Sequence, residues 1–136
     1  MYGIYILLYT LNLHYKTVLS HDFCLCHNFF FSVLANVTKF QTNKNDIQEG
    51  DNITLSCMVT KGLPSPRIEI LKNNRKIKEL LGSNTSDTTL NYNFTKISHN
   101  SGGSYICEVR TNGYVSRKSY DFEVKCEYNY INLYTT

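Results

Sequence analysis

Ile53-Thr-Leu-Ser-Cys-Met-Val59 carries an apolar side chain at every second position, and Tyr105-Ile-Cys-Glu-Val109 repeats the pattern further along. Successive side chains of a β-strand point to opposite faces. Ile53, Leu55, Cys57 and Val59 therefore line one face, with Thr54, Ser56 and Met58 on the other. Tyr105, Cys107 and Val109 form a second inward set. Between these runs lies Gly62-Leu-Pro-Ser-Pro66, a loop whose prolines cannot join a ladder. Ile68 and Ile70 then point inward between Arg67, Glu69 and Leu71. Asn73-Asn74 turns the chain, and Lys76-Ile-Lys78 reads as a short edge strand guarded by charge.

After a polar loop over 82–87, Leu90, Tyr92 and Phe94 alternate with Asn91, Asn93 and Thr95. Asn112-Gly113 is a two-residue hairpin signal, leading to a last strand with Tyr120, Phe122 and Val124 on one side. Strands recur at close spacing with no helix between them. The pattern predicts an all-β sandwich joined by hairpins and sheet-to-sheet crossovers.

The 136 residues have room for one ordinary domain. Eleven tyrosines and seven phenylalanines against two prolines favour strands. A net charge of +3, with the basic residues scattered, speaks against a nucleic-acid partner. Catalysis finds little support. His99, beside Ser98 and Ser101, lacks any motif for an orienting acid or an oxyanion hole. Gly102-Gly103 leads into a strand, so it is not a phosphate loop. The expectation is no enzyme, no cofactor, no metal and no small-molecule substrate.

Five cysteines stand at positions 24, 26, 57, 107 and 126, an odd count. Sequons begin at Asn36, Asn52, Asn84 and Asn93. The chain is rich in Asn, Ser and Thr, so chance supplies some of them. Together with the cysteine pattern they point to an oxidising, extracellular compartment.

These residues resemble the immunoglobulin superfamily over about two thirds of the chain. Glu49-Gly-Asp-Asn-Ile-Thr-Leu-Ser-Cys57 is similar to the family's strand B, and Pro66-Arg-Ile-Glu-Ile-Leu-Lys72 to strand C. Ser101-Gly-Gly-Ser-Tyr-Ile-Cys107 is similar to strand F, with Tyr105 at the tyrosine-corner position. Two departures stand out: Ile70 replaces the usual tryptophan of strand C, and Ser101 replaces the usual acid six positions before the second cysteine. The short segment between Lys78 and Thr88 leaves no room for the extra strand pair of variable domains. A C2-like or I-like Greek-key sandwich is implied, resembling domains of the platelet endothelial cell adhesion molecule and Fc-receptor-like group. The resemblance also implies that Cys57 and Cys107 pair across the two sheets, free buried thiols being the alternative.

The ends read differently, so the chain divides into an extension over 1–36, the domain over 37–125 and a tail over 126–136. Tyr5 to Leu13 is apolar but too short to span a bilayer. As a signal-peptide core it lacks a preceding positive residue and a small-residue cleavage site. His21, Cys24, Cys26 and His27 match no standard zinc spacing. One hypothesis covers both ends. Phe29-Phe-Phe-Ser-Val33 can be encoded as a pyrimidine tract and splice acceptor, and Lys125-Cys-Glu-Tyr128 as a splice donor. On that reading both tails are translated intron, and Cys24, Cys26 and Cys126 fall outside the mature domain.

In the family's arrangement strands A, B and E share one sheet, and C, F and G the other. Asn52 and Asn93 then point outward from the B–E sheet, where glycans would shield it. The C–F–G outer positions are Arg67, Glu69, Leu71, Ile106, Glu108, Arg110, Arg117, Asp121 and Glu123, none in a sequon. That face is the first candidate protein-contact surface, and the hairpin with Asn112 and Tyr114 the second. The expected function is an extracellular domain of a cell-surface adhesion molecule or receptor. It would contact another protein or space other domains, as a fragment of a longer, membrane-anchored chain. The alternatives are a small secreted binder and an intracellular muscle-type domain with reduced cysteines.

Overall fold

A computed structural model describes residues 31–126. Its strands are β1 (Val37–Thr42), β2 (Ile47–Gln48), β3 (Ile53–Val59), β4 (Arg67–Lys72), β5 (Arg75–Leu81), β6 (Thr88–Phe94), β7 (Gly103–Thr111), β8 (Tyr114–Phe122) and β9 (Val124–Lys125). A 3-10 turn, His99–Ser101, precedes β7.

The strands make a three-stranded sheet in the order β1-β3-β6 and a four-stranded sheet in the order β5-β4-β7-β8. All ladders within these two sheets are antiparallel. The chain crosses between sheets after β3, β5 and β6, which is the Greek-key path of an all-β sandwich. A short parallel pairing of β2 with β9 ties the start of the domain to its end.

Both tight hairpins follow from turn chemistry. Asn112 and Gly113, at φ 46° and 83°, join Thr111 to its partner Tyr114. Asn73 and Asn74, at φ 50° and 60°, join Lys72 to Arg75. A turn with both central residues at positive φ matches the twist of the strands it connects, and Asn and Gly are the residues that tolerate it.

The inner faces of the two sheets share one core. Ile53, Leu55, Cys57 and Val59 from β3 meet Ile68 and Ile70 from β4 and Tyr105, Cys107 and Val109 from β7, all buried. A disulfide joins Cys57 to Cys107 with their Cα atoms 6.2 Å apart. Ile70 lies directly opposite Cys107 in the β4–β7 register and is fully buried. The aliphatic side chain thus lies beside the disulfide-bonded Cys107.

Two features depart from the sequence reading. The edge strand expected over Lys76-Ile-Lys78 extends from Arg75 to Leu81. Its side chains are exposed on both faces except Ile77, so backbone pairing with β4 holds it without a buried stripe. Glu108, expected at an outward solvated position, points outward but is only 3% exposed. Two arginines cover it.

Candidate functional site

Strand register arranges the outer face of the β5-β4-β7-β8 sheet into three rows. Glu79, Glu69, Glu108 and Arg117 form the central row. Leu81, Arg67, Arg110 and Val115 lie on one side of it, and Lys76, Leu71, Ile106 and Ser119 on the other. Three carboxylates in line would repel one another. The structure answers with cations from the flanking rows.

Arg110 Nε and Arg117 Nε each donate to one oxygen of Glu108. Burial pushes the Glu108 carboxyl up, but the two guanidinium hydrogen bonds and their charges outweigh it, so the group lies below its ordinary value. The arginines themselves remain 56% and 60% exposed. Their carbon stems shield the carboxylate while their heads stay in water. On the other flank, Lys76 Nζ lies 2.6 Å from Glu79 and 3.7 Å from Glu69. Its hydrogen bond holds the Glu79 carboxyl low and raises the Lys76 ammonium.

The three carboxylates are thus paired within the face, and apolar side chains stand beside them. Leu71 and Ile106 sit side by side and half-buried. Leu81, at 68%, is the most exposed large apolar side chain among the described residues, with Leu80 beside it. Arg67, Glu79, Leu80 and Leu81 line a shallow depression there. Asp121 and Glu123 lie further along the β8–β9 edge, both exposed.

The hairpin candidate and a sequon meet. Tyr114 OH donates to Asn36 Oδ1 at 2.8 Å, beside exposed Asn112. Nothing in the local sequence linked these two residues, which lie 78 positions apart.

Asn52 and Asn93 both project from the outer face of the other sheet. Thr54 Oγ1 donates to Asn93 Oδ1 at 2.9 Å, and Lys96 N donates to Asn52 Oδ1. Thr54 pairs with Asn93 in the ladder, so each of the two sequons lies against the other. Asn84 sits exposed in the β5–β6 loop.

Tyr105 OH donates to the backbone oxygen of Ser101 at 2.5 Å. Lys72 Nζ donates to the same oxygen and lies 4.9 Å from the centre of the Tyr105 ring. Of the chemistry-bearing residues weighed in the sequence, His99 faces Glu49, while Ser98 and Ser101 share a hydrogen bond between their hydroxyls. Glu49, His99 and Cys126 come together at the β2–β3 turn, the 3-10 turn and the end of β9. His21, Cys24, Cys26 and His27 lie outside the described residues, as does the remainder of both tails.

Comparison with solved structures gives the same sandwich. The full ectodomain of mouse nectin-like molecule 4, comprising three immunoglobulin domains, superposes with a TM-score of 0.51 at 17% identity over 65% of this chain. The match spans about a third, 33%, of that ectodomain's length. A chimeric titin Z1Z2 carrying a decorin-derived peptide superposes with a TM-score of 0.57 at 13% identity, covering 71% of this chain and 100% of that one. At these identities the likeness is one of fold. No curated protein matches the sequence. The immunoglobulin-domain family model, however, matches residues 36–111, more than half of the chain. With the two-sheet topology and the disulfide across it, this places the chain in the immunoglobulin-domain family.

Proposed function

We propose that this chain is an extracellular recognition domain of a cell-surface adhesion molecule or receptor. It contacts another protein through the outer face of the β5-β4-β7-β8 sheet, as part of a longer multi-domain protein. The observation that carries this reading is the asymmetry of the two outer faces. The β3–β6 side bears two sequons, those of Asn52 and Asn93, which meet where Thr54 bonds Asn93. The opposite face bears none, and its carboxylates Glu69, Glu79 and Glu108 already have partners in Arg110, Arg117 and Lys76. Charge that is already paired costs less to bury against a partner than free ions do. The apolar Leu71–Ile106 pair and Leu81 supply area for contact. No helix among the described residues is long and apolar enough to cross a membrane.

The test displays the domain as a multimer on a panel of intact cells. Ile106→Glu should reduce binding at least tenfold or so, because it places a charge at a half-buried apolar position. Thr89→Glu, on the exposed outer face of β6, should leave it unchanged. Equal binding by both variants, with circular dichroism of the wild type retained, removes the face from the reading. Loss of mass on treatment with an N-glycosidase checks the extracellular compartment separately.

A further inference from the structure

Three side chains of different donor type converge at one end of the described domain. Glu49 carboxylate, His99 imidazole and Cys126 thiol place one ligand atom each within 4.8 Å of one another. They come from three elements and are distant in sequence, so local sequence cannot account for their meeting.

The backbone explains it. The parallel β2–β9 pairing puts Gln48 beside Lys125, and Glu49 N donates to the Lys125 oxygen at 2.8 Å. The residue just past β9 is Cys126, which therefore stands next to Glu49. Gly50 N donates to the Ile97 oxygen at 2.7 Å, and Ile97 N to the Asp51 oxygen at 2.9 Å. This pair of bonds holds the 3-10 turn, and with it His99, against the same β2–β3 turn. His99 N also reaches Glu49 Oε1 at 3.4 Å, and His99 Nδ1 lies 3.6 Å from that oxygen.

We propose that Glu49, His99 and Cys126 form a zinc site that fastens the end of β9 to the β2–β3 turn. Zinc binds oxygen and nitrogen at about 2.0–2.2 Å and thiolate sulfur at about 2.3 Å, in a tetrahedron. Those bonds set ligand atoms about 3.3–3.6 Å apart. The His99–Glu49 separation already meets that value, and rotation of exposed side chains closes the remainder. The donor set selects the metal. A thiolate with an imidazole suits borderline-soft Zn²⁺, whereas Ca²⁺ and Mg²⁺ take oxygen ligands. The carboxylate and thiolate charges balance the ion, the thiol losing its proton to solvent on binding, and water fills the fourth position.

The test uses the full 136-residue chain, with the Cys57–Cys107 disulfide intact and Cys126 reduced. It is titrated with Co²⁺ as a spectroscopic substitute for Zn²⁺. All variants carry Cys24→Ser and Cys26→Ser with His21→Ala and His27→Ala, so that the N-terminal donors cannot contribute. The expected result is a near-ultraviolet thiolate-to-cobalt band at one ion per chain, reversed by Zn²⁺ and untouched by Ca²⁺. Cys126→Ser should abolish the band, and His99→Ala or Glu49→Gln, each removing a direct ligand, should weaken Zn²⁺ binding by more than the roughly tenfold that loss of an outer-shell partner costs. Because the ligands meet only in the folded chain, Zn²⁺ should also raise the melting midpoint, and Cys126→Ser should remove that rise. Absence of the band in this background, its survival in Cys126→Ser, or equal affinity in His99→Ala overturns the proposal.

Discussion

Replacing Tyr105 with Phe removes one oxygen and leaves the ring, and the structure sets the size of the effect. The ring is buried, stacked on Phe122 at 5.2 Å between centroids and edge-on to Phe94 at 5.9 Å. A phenyl group keeps these contacts. The hydroxyl's hydrogen bond to the Ser101 oxygen is lost, but Lys72 Nζ still donates to that oxygen at 3.1 Å. No buried acceptor is orphaned, so the cost is that of one hydrogen bond, about 1 kcal/mol. For a domain of this size that lowers the thermal midpoint by about 5 °C at neutral pH.

A second consequence follows from the same burial. The Tyr105 phenol is pushed up to about 12 from 10.0, chiefly by desolvation, with Tyr92 adding to it. Below about pH 9 the group is protonated whether the chain is folded or not, and stability does not vary with it. Above pH 10 the unfolded chain releases the proton first, so the folded state loses ground as pH rises. By pH 11 this amounts to about 1.4 kcal/mol in the wild type and nothing in Tyr105→Phe. The stability gap therefore closes between pH 10 and 11. Denaturant unfolding of both proteins from pH 7 to 11 reads the whole curve, the other tyrosines cancelling in the difference. Coincident midpoints at pH 7 refute the hydrogen bond's contribution, and parallel curves to pH 11 refute the burial of the phenol.

Glu108→Gln should cost about 1–2 kcal/mol at pH 7, reduced from the value for a buried pair because both arginines remain solvated. The Glu108 carboxyl is lowered in the fold, so its contribution is present above the unfolded value of about 4.3 and fades as pH falls below it. Urea unfolding at pH 7 and pH 3 should show a smaller gap at the second pH than at the first. Gly113→Ala should lose about 1 kcal/mol, though nothing lies within 4 Å of the added carbon, because φ at this residue is 83°. Gly113→Asn should lose less, since Asn tolerates that region; equal losses measured by thermal melting would argue against a backbone origin.

Alternation told inside from outside wherever a strand buries one face. Residues 53–59 of β3 and 105–109 of β7 do so, and their inward side chains were legible directly. The two Asn-containing hairpins were legible from turn chemistry alone. Strand β1 was not, because a register shift between Val37 and Lys39 breaks its period. Strand β5 escaped in part because an edge strand exposed on both faces has no period to read. In each case the missing information is backbone pairing, which leaves no trace in side-chain pattern.

The same division runs through the candidate sites. Parity placed Glu69, Leu71, Ile106 and Glu108 on one outer face, but parity is blind to side-chain length. Glu108 is buried because Arg110, two residues away, and Arg117, across the ladder, both have stems long enough to fold over it. Equal parity with a shorter cation would leave the carboxylate in water. Contacts made at strand ends lie further beyond a periodic reading. Asn36 meets Tyr114, and Glu49 meets both His99 and Cys126, through the order in which strands are paired at the sheet margins. A sandwich edge is where chain segments far apart in sequence are brought level by register. Chemistry assembled there is invisible to spacing, and it depends on the pairing of two-residue β2 with β9 more than on the core.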